Sequence, residues 1–140
     1  MRLGPEALRD LELAAELHEL AGGPRGDELL AADGTFSQDE RAFLRQHAGV
    51  AERLLGGAPE LSGAARALRS ARERWDGSGG PDGLAHESIP LLARILRGCA
   101  TWHALVDAGA DRQAAVVRLR ADAGGRLDPR VVDALAALAA

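Results

Sequence analysis

The chain has 140 residues, a formal net charge of −4, 46% hydrophobic residues and 3% aromatic residues. This length predicts one domain over residues 1–140, with enough buried surface for a core. The slightly acidic charge does not favour nucleic acid as the main partner, so we expect no DNA binding from this domain. Lysine and tyrosine are absent, which excludes Schiff-base chemistry and a catalytic phenol.

The remaining composition favours a cytoplasmic protein. No basic segment followed by an apolar run begins the chain, so no secretory signal is expected. The longest apolar run is far shorter than the ~20 residues of a membrane span, so no membrane partner is expected. The single cysteine, Cys99, cannot form an intrachain disulfide, and its apolar surroundings are typical of a buried small hydrophobic residue.

Helical periodicity dominates the first half of the chain. Apolar side chains recur every three or four residues from Pro5 to Ala21, which predicts an amphipathic helix. A short helix from Asp27 to Ala32 follows. Ser37 and Glu40 have the spacing of a capping box and open a longer helix that ends at Gly56. The predicted stripe of the first helix contains Leu8, Leu11, Ala14, Ala15 and His18.

The second half is also helical. A helix from Leu61 to Trp75 precedes a loop rich in Gly, Asp and Pro over residues 76–86. The segment Ser88–Pro90 starts a helix with proline in its first turn, and its apolar density predicts the central helix of the fold. Asp111 caps the next helix, and Asp128 precedes the last one. No strand-like alternation is found, so the sequence predicts an all-α bundle of about six to seven helices.

Four histidines are candidates for metal chemistry: His18, His47, His86 and His103. Three of them, all except His86, lie on apolar stripes of different helices, and imidazoles that converge from facing helices form metal sites in bundles. Glu19 is the nearby carboxylate. A single histidine on an apolar face is more often a hydrogen-bonded core residue than a ligand, so both interpretations stay open. His86 is interpreted as a surface residue.

The loop from Trp75 to Gly83 is the other candidate site. Its glycines allow turns with positive φ, while Asp76 and Ser78 can hydrogen-bond the loop to itself. Its spacing does not match a P-loop. Arg72 and Arg74 precede the loop and form a candidate anion site, because guanidinium groups pair with phosphate and stack on purines.

The run from Glu73 to Leu84 resembles the signature of HD-GYP domains, in which two histidines precede Glu-Arg-Trp-Asp-Gly-Ser-Gly-Tyr-Pro. The similarity extends over residues 27–47, 89–96 and 126–132, and so covers nearly the whole chain. HD-GYP domains belong to the HD superfamily of all-helical, metal-dependent phosphohydrolases and are best known for hydrolysing cyclic di-GMP. The resemblance implies an HD-type helical bundle. The retained signature positions are Arg74, Trp75, Asp76, Gly77, Gly79 and Pro81.

The same resemblance implies that part of the family's metal site is replaced. The family's His-Asp pair falls on His18 and Glu19, and the histidine of its His-Pro motif falls on His47. The family's first ligand lies on a helix ahead of that pair, and too few residues precede His18 to form this helix. The adjacent His-His ligands, a further Asp and the Tyr of the signature fall on Ala71, Arg72, Ala100 and Gly80.

These replacements lead to the hypothesis of a catalytically inactive HD-GYP-like domain, without a metal cofactor, that acts as a regulatory or protein-interaction module. A missing first helix would leave apolar surface for self-association or for a partner protein, so a dimer is expected. One alternative is a cyclic di-GMP phosphodiesterase in which His18, Glu19, His47 and His103 hold iron or manganese. Another is a module that binds cyclic di-GMP or another nucleotide without hydrolysing it.

Overall fold

The computed structural model describes residues 3–18, 36–55 and 57–139. Within these ranges the chain forms α-helices and short 3-10 helices and no β-strand. One isolated bridge pairs Ala123 with Leu127. The all-α prediction is therefore confirmed for this part of the chain. No helix in the same ranges is long and apolar enough to cross a membrane. The α-helices are α1 (Pro5–Leu17), α2 (Gln38–Leu55), α3 (Ser62–Arg69), α4 (Leu91–Asp107), α5 (Arg112–Asp122) and α6 (Pro129–Ala139).

Three helix starts are fixed by the capping residues that the sequence predicts. The backbone N–H of Ser37 donates to the Glu40 carboxylate at 2.7 Å, and the N–H of Glu40 donates to the Ser37 hydroxyl at 3.2 Å. This reciprocal pair is the predicted capping box of α2. Asp111 accepts a hydrogen bond of 2.8 Å from a backbone N–H in the first turn of α5. Asp128 does the same for α6, where it accepts from the N–H of Arg130 at 2.8 Å.

Several predicted boundaries are wrong. The helix predicted from Leu61 to Trp75 ends at Arg69, because the chain then turns so that the Glu73 carboxylate reaches backbone N–H groups of the following loop. Pro90 is the residue before α4 and not part of its first turn. Helix α1 is described over Pro5–Leu17, and its predicted end at Ala21 lies outside the described ranges. The predicted helix over residues 27–32 lies outside the described ranges.

Helix α4 is the central helix, as predicted, since it packs against α1, α3, α5 and α6. Small side chains allow close approach of the helices: a Cβ atom at Gly98 would lie 2.7 Å from Cγ1 of Val131 on α6. The predicted stripe of α1 is only partly correct, because Ala14 is fully buried while Leu8 and Ala15 are exposed. The main core cluster consists of the buried residues Ala14, Ala64, Ala67, Leu68, Ala71 and Leu96.

Candidate functional site

The signature loop, residues 73–84, is organised by the buried side chain of Glu73, which is 1% exposed. Its Oε1 accepts hydrogen bonds from the backbone N–H groups of Asp82 at 2.6 Å and Gly83 at 3.1 Å, and its Oε2 accepts from that of Leu84 at 3.1 Å. Burial raises the pKa of Glu73, and these three hydrogen bonds act in the opposite direction. One carboxylate thus holds the end of the loop against its beginning.

A second carboxylate closes the turn in the middle of the loop. Oδ1 of Asp76 accepts hydrogen bonds from the backbone N–H of Ser78 at 2.9 Å and from its hydroxyl at 2.6 Å, and Gly77 between them has φ +80°. Burial alone would raise the pKa of Asp76, but the bonds from Ser78 and the charge of Arg74 outweigh it and lower that pKa. The predicted self-bonding of the loop is confirmed.

Two glycines let the loop approach its neighbours closely. A Cβ atom at Gly79 would overlap the backbone nitrogen of Arg74 and lie 2.7 Å from the carbonyl carbon of Glu73. A Cβ atom at Gly80, the position of the family's tyrosine, would lie 3.1 Å from Cδ1 of Leu44 on α2. Arg41, also on α2, donates through Nη2 to the carbonyl oxygen of Ser78 at 3.1 Å. The middle of the signature loop is therefore held against α2.

Trp75 connects the signature loop to α4. Its ring lies edge-to-face with that of His86, with 5.2 Å between ring centroids, and the guanidinium carbon of Arg94 lies 5.7 Å from its centroid. The carbonyl oxygen of Trp75 also accepts from the backbone N–H of His86 at 2.9 Å. These contacts give Trp75 a packing role between the signature loop and α4. His86 is exposed, as interpreted from the sequence.

The turn between α5 and α6 is bonded to the other side of the loop. The backbone N–H of Asp76 donates to the carbonyl of Gly125 at 2.9 Å, and that of Trp75 donates to the carbonyl of Arg126 at 3.4 Å. On this side Oδ2 of Asp76 lies 3.6 Å from Nη2 of Arg74, and Oδ2 of Asp122 lies 3.7 Å from Nη1 of Arg126. The loop and the turn thus bring two arginines, each with a carboxylate, toward α4.

Three arginines lie near enough to Arg97 on α4 for their charges to act on it, and we call the four the arginine cluster: Arg72, Arg74, Arg97 and Arg126. The first three are buried, and Arg97 on α4 is only 3% exposed. Burial, followed by the charges of Arg126, Arg74 and Arg72, lowers the pKa of Arg97 to about 9. Arg97 is therefore still a cation at neutral pH.

Sequence reasoning found only part of this cluster. It singled out Arg72 and Arg74 as a candidate anion site, and the structure places both beside Arg97 and Arg126. The signal that could have found Arg97 is an arginine inside the most apolar predicted helix, next to the glycine that contacts α6. A long cation at such a position is rarely exposed, so it must meet another group in the interior.

The histidines give no metal site within the described ranges. His18 follows the end of α1 and its Nδ1 is bonded to the carbonyl oxygen of Ala15, whereas His103 is exposed on α4. Glu19 and the side chain of His47 lie outside what the structure describes. No group of three or more His, Cys, Asp or Glu residues that could hold a metal occurs in the part of the chain described. The described residues alone thus provide no metal-binding group, and we derive no step through a metal ion.

Comparisons with known proteins identify the class. Residues 1–131 match the model of the HD domain family, and the chain belongs to this family. It is 38% identical over 141 residues to the cyclic di-GMP phosphodiesterase response regulator RpfG of Xanthomonas campestris pv. campestris, covering 95% of this chain and 37% of that protein. It is 32% identical over 146 residues to a probable cyclic di-GMP phosphodiesterase of Vibrio cholerae, covering 94% and 33%.

A cyclic di-GMP phosphodiesterase of Thermotoga maritima is 30% identical over 99 residues, which cover 69% of this chain and 27% of that protein. The chain thus spans about a third of the length of the curated relatives it matches. The resemblance to HD-GYP domains is confirmed. The hypothesis of a catalytically inactive regulatory module is contradicted, because relatives that match most of the chain are named as phosphodiesterases. Replacements at Ala71, Arg72 and Ala100 are thus no basis for assigning lost activity.

Proposed function

We propose that this chain is a phosphodiesterase domain that hydrolyses cyclic di-GMP. The observation that carries the proposal is the 38% identity to a cyclic di-GMP phosphodiesterase over 95% of the chain. The aligned region includes the signature loop, whose Glu73, Asp76 and Gly79 make the contacts that hold it in place. A shared fold alone would not support an activity, but a shared loop with defined contacts gives it a local basis.

The arginine cluster supports the choice of a phosphodiester as the substrate. In hydrolysis the oxygen of water forms a bond to phosphorus, the ester P–O bond breaks, and negative charge develops on the non-bridging oxygens. Fixed cations in a site that excludes water stabilise such charge more strongly than cations in solvent. Arg72, Arg74 and Arg97 are buried arginines in and around the signature loop, and their positive charge would stabilise the negative charge of this reaction.

The candidate positions for metal ligands remain predictions from the resemblance. His18, Glu19 and His47 fall on family ligand positions, and the structure describes the side chain of His18 but not those of Glu19 and His47. His103 is a poorer candidate than the sequence suggested, because it is exposed on α4. The hydrolysis experiment therefore compares conditions with and without a divalent cation.

The test is hydrolysis of cyclic di-GMP by the purified chain with Mn²⁺, with Fe²⁺ under anaerobic conditions and with EDTA, followed by chromatography. We expect the linear dinucleotide as product, and a rate at least 100-fold lower for His47→Ala. His103→Ala is the matched variant and should retain the wild-type rate, since its side chain is exposed. Saturable binding of cyclic di-GMP without product under all three conditions would contradict the proposal.

Self-association stays a prediction. The described surface includes the exposed apolar side chains of Val117 on α5 and Leu138 on α6, which are the kind of side chain that self-association would cover. Light scattering coupled to size exclusion measures the oligomeric state directly. A monomer at concentrations of tens of micromolar would contradict the expected dimer.

A further inference from the structure

Arg97 is a buried cation whose hydrogen-bonding capacity is not used by the residues that the structure describes. Its side chain is almost completely buried on the central helix α4. Its Nε and Nη1 atoms are both buried and have no hydrogen-bond partner among those residues. Buried donors are nearly always bonded in folded proteins, so two unused donors on one guanidinium point to a group that the described residues do not provide.

The charges around Arg97 indicate the sign of that group. Arg72 and Arg74 act on it from the segment before the signature loop, and Arg126 acts from the turn between α5 and α6. Asp122 acts in the opposite direction, but it also lies 3.7 Å from Arg126. A cation that is buried among three like charges is stabilised by an anion, and a neutral ligand would leave its charge uncompensated.

The position of Arg97 identifies the kind of anion. The signature loop on one side carries Arg74, and Gly79 brings its backbone directly onto the segment from Arg72 to Arg74. Arginine is well suited to phosphate because its guanidinium is planar, remains charged and offers several donors in a fixed arrangement. The anion that fits a cluster of arginines beside a phosphohydrolase loop is a phosphate ester.

We propose that Arg97, together with Arg72 and Arg74, forms a phosphate-binding site that contacts the non-bridging oxygens of a nucleotide phosphate without a metal ion. The inference rests on the proposed function for the nucleotide, but the oxyanion site itself does not depend on turnover. Arg72 falls on the second histidine of the family's His-His ligand pair. In this chain guanidinium groups therefore supply the positive charge at that position.

The first experiment measures binding of inorganic phosphate by the full chain in EDTA, through the thermal unfolding midpoint at constant ionic strength set with chloride. We expect a saturable rise for the wild type and at least a tenfold weaker apparent affinity for Arg97→Met. Arg118→Met is the matched control, because Arg118 is exposed on α5, and it should bind phosphate like the wild type. Equal phosphate responses of the wild type and Arg97→Met would overturn the proposal.

Arg97→Gln and Arg97→Lys keep the proposal testable if Arg97→Met does not fold. Lysine preserves the charge but offers its donors at a single point, so Arg97→Lys should bind phosphate more weakly than the wild type and more strongly than Arg97→Gln. The same affinity in all three proteins would overturn the site. Phosphate binding that is lost in Arg97→Gln supports it even when no hydrolysis is found, so that failure of the proposed function is distinguishable from failure of this site.

Discussion

Arg94 and Arg97 lie one turn apart on α4 and differ in how their charge is compensated. Nη1 of Arg94 donates to Oδ2 of Asp128 at 2.7 Å, and the Asp128 side chain is 0% exposed. The guanidinium of Arg94 also lies over Trp75. Arg97 has the positive charges of Arg72, Arg74 and Arg126 around it, and two of its nitrogens have no partner within the described residues.

This difference separates a structural cation from one that is available to a ligand. The Arg94–Asp128 pair joins α4 to the start of α6, since Asp128 also caps that helix. Its charge is therefore part of the packing of the native state. The charge of Arg97 is not compensated in this way, and its burial costs free energy that an anion would return.

Removing Arg94 should have the largest effect on stability. Arg94→Met removes the closer cation of the buried Asp128 carboxylate and leaves the exposed Arg130, whose Nε lies 3.7 Å from Oδ1; losing one partner of a buried pair costs about 3–5 kcal/mol. Urea unfolding followed by far-UV circular dichroism measures this change. Arg118→Met, on the exposed face of α5, should change the free energy of unfolding by less than about 0.5 kcal/mol. A similarly small change for Arg94→Met would show that the ion pair does not contribute to stability.

Glu73 provides an intermediate case, because hydrogen bonds compensate its charge in place of a cation. In Glu73→Gln the amide nitrogen cannot accept, so one backbone N–H of the signature loop loses its acceptor, at a cost of about 1–3 kcal/mol. Because the pKa of Glu73 is raised in the folded chain, the wild type gains stability from this group as pH falls through that pKa, so the loss in Glu73→Gln should be smaller at pH 7 than at low pH. Hydrogen exchange of Asp82, Gly83 and Leu84 should also accelerate, and unchanged exchange at all three would contradict the role given to Glu73.

Arg97 should give the smallest effect and the opposite sign. In buffer without phosphate, Arg97→Met should leave the free energy of unfolding unchanged or raise it by about 1 kcal/mol, because an uncompensated buried cation is replaced by an apolar side chain of similar length. A loss of more than ~2 kcal/mol would place Arg97 with Arg94 as a structural cation.

The alkaline pH dependence sharpens the same comparison. The pKa of Arg97 is lowered to about 9 in the folded chain, far below that of an arginine in the unfolded chain, so above pH 9 the unfolded chain binds more protons and stability rises with pH. Arg97→Met should lack this rise. Lysine and tyrosine are absent, and the opposite contribution of Cys99, whose pKa burial raises, is common to both proteins. If the free energy of unfolding depends on pH in the same way for the wild type and Arg97→Met between pH 8 and 10.5, the lowered pKa of Arg97 is contradicted.

The features that depend on neighbouring residues could be predicted from the sequence. The caps at Ser37, Asp111 and Asp128 are local, because donor and acceptor lie within three residues. The end of α3 at Arg69 could not be predicted, since it depends on bonds between Glu73 and residues 82–84, about ten positions away. For the same reason the sequence identified the signature loop but not the contribution of Arg97, whose surroundings come from three separate segments of the chain.

Gly79 has a consequence for any attempt to alter this domain by design. A single methyl group at this position would overlap the backbone of Arg74. Because the position of Cβ does not depend on the rotamer, no side chain can be accommodated there. A library that includes position 79 therefore selects against its own members at the folding step. Designed changes in specificity should therefore keep Gly79 and alter other positions.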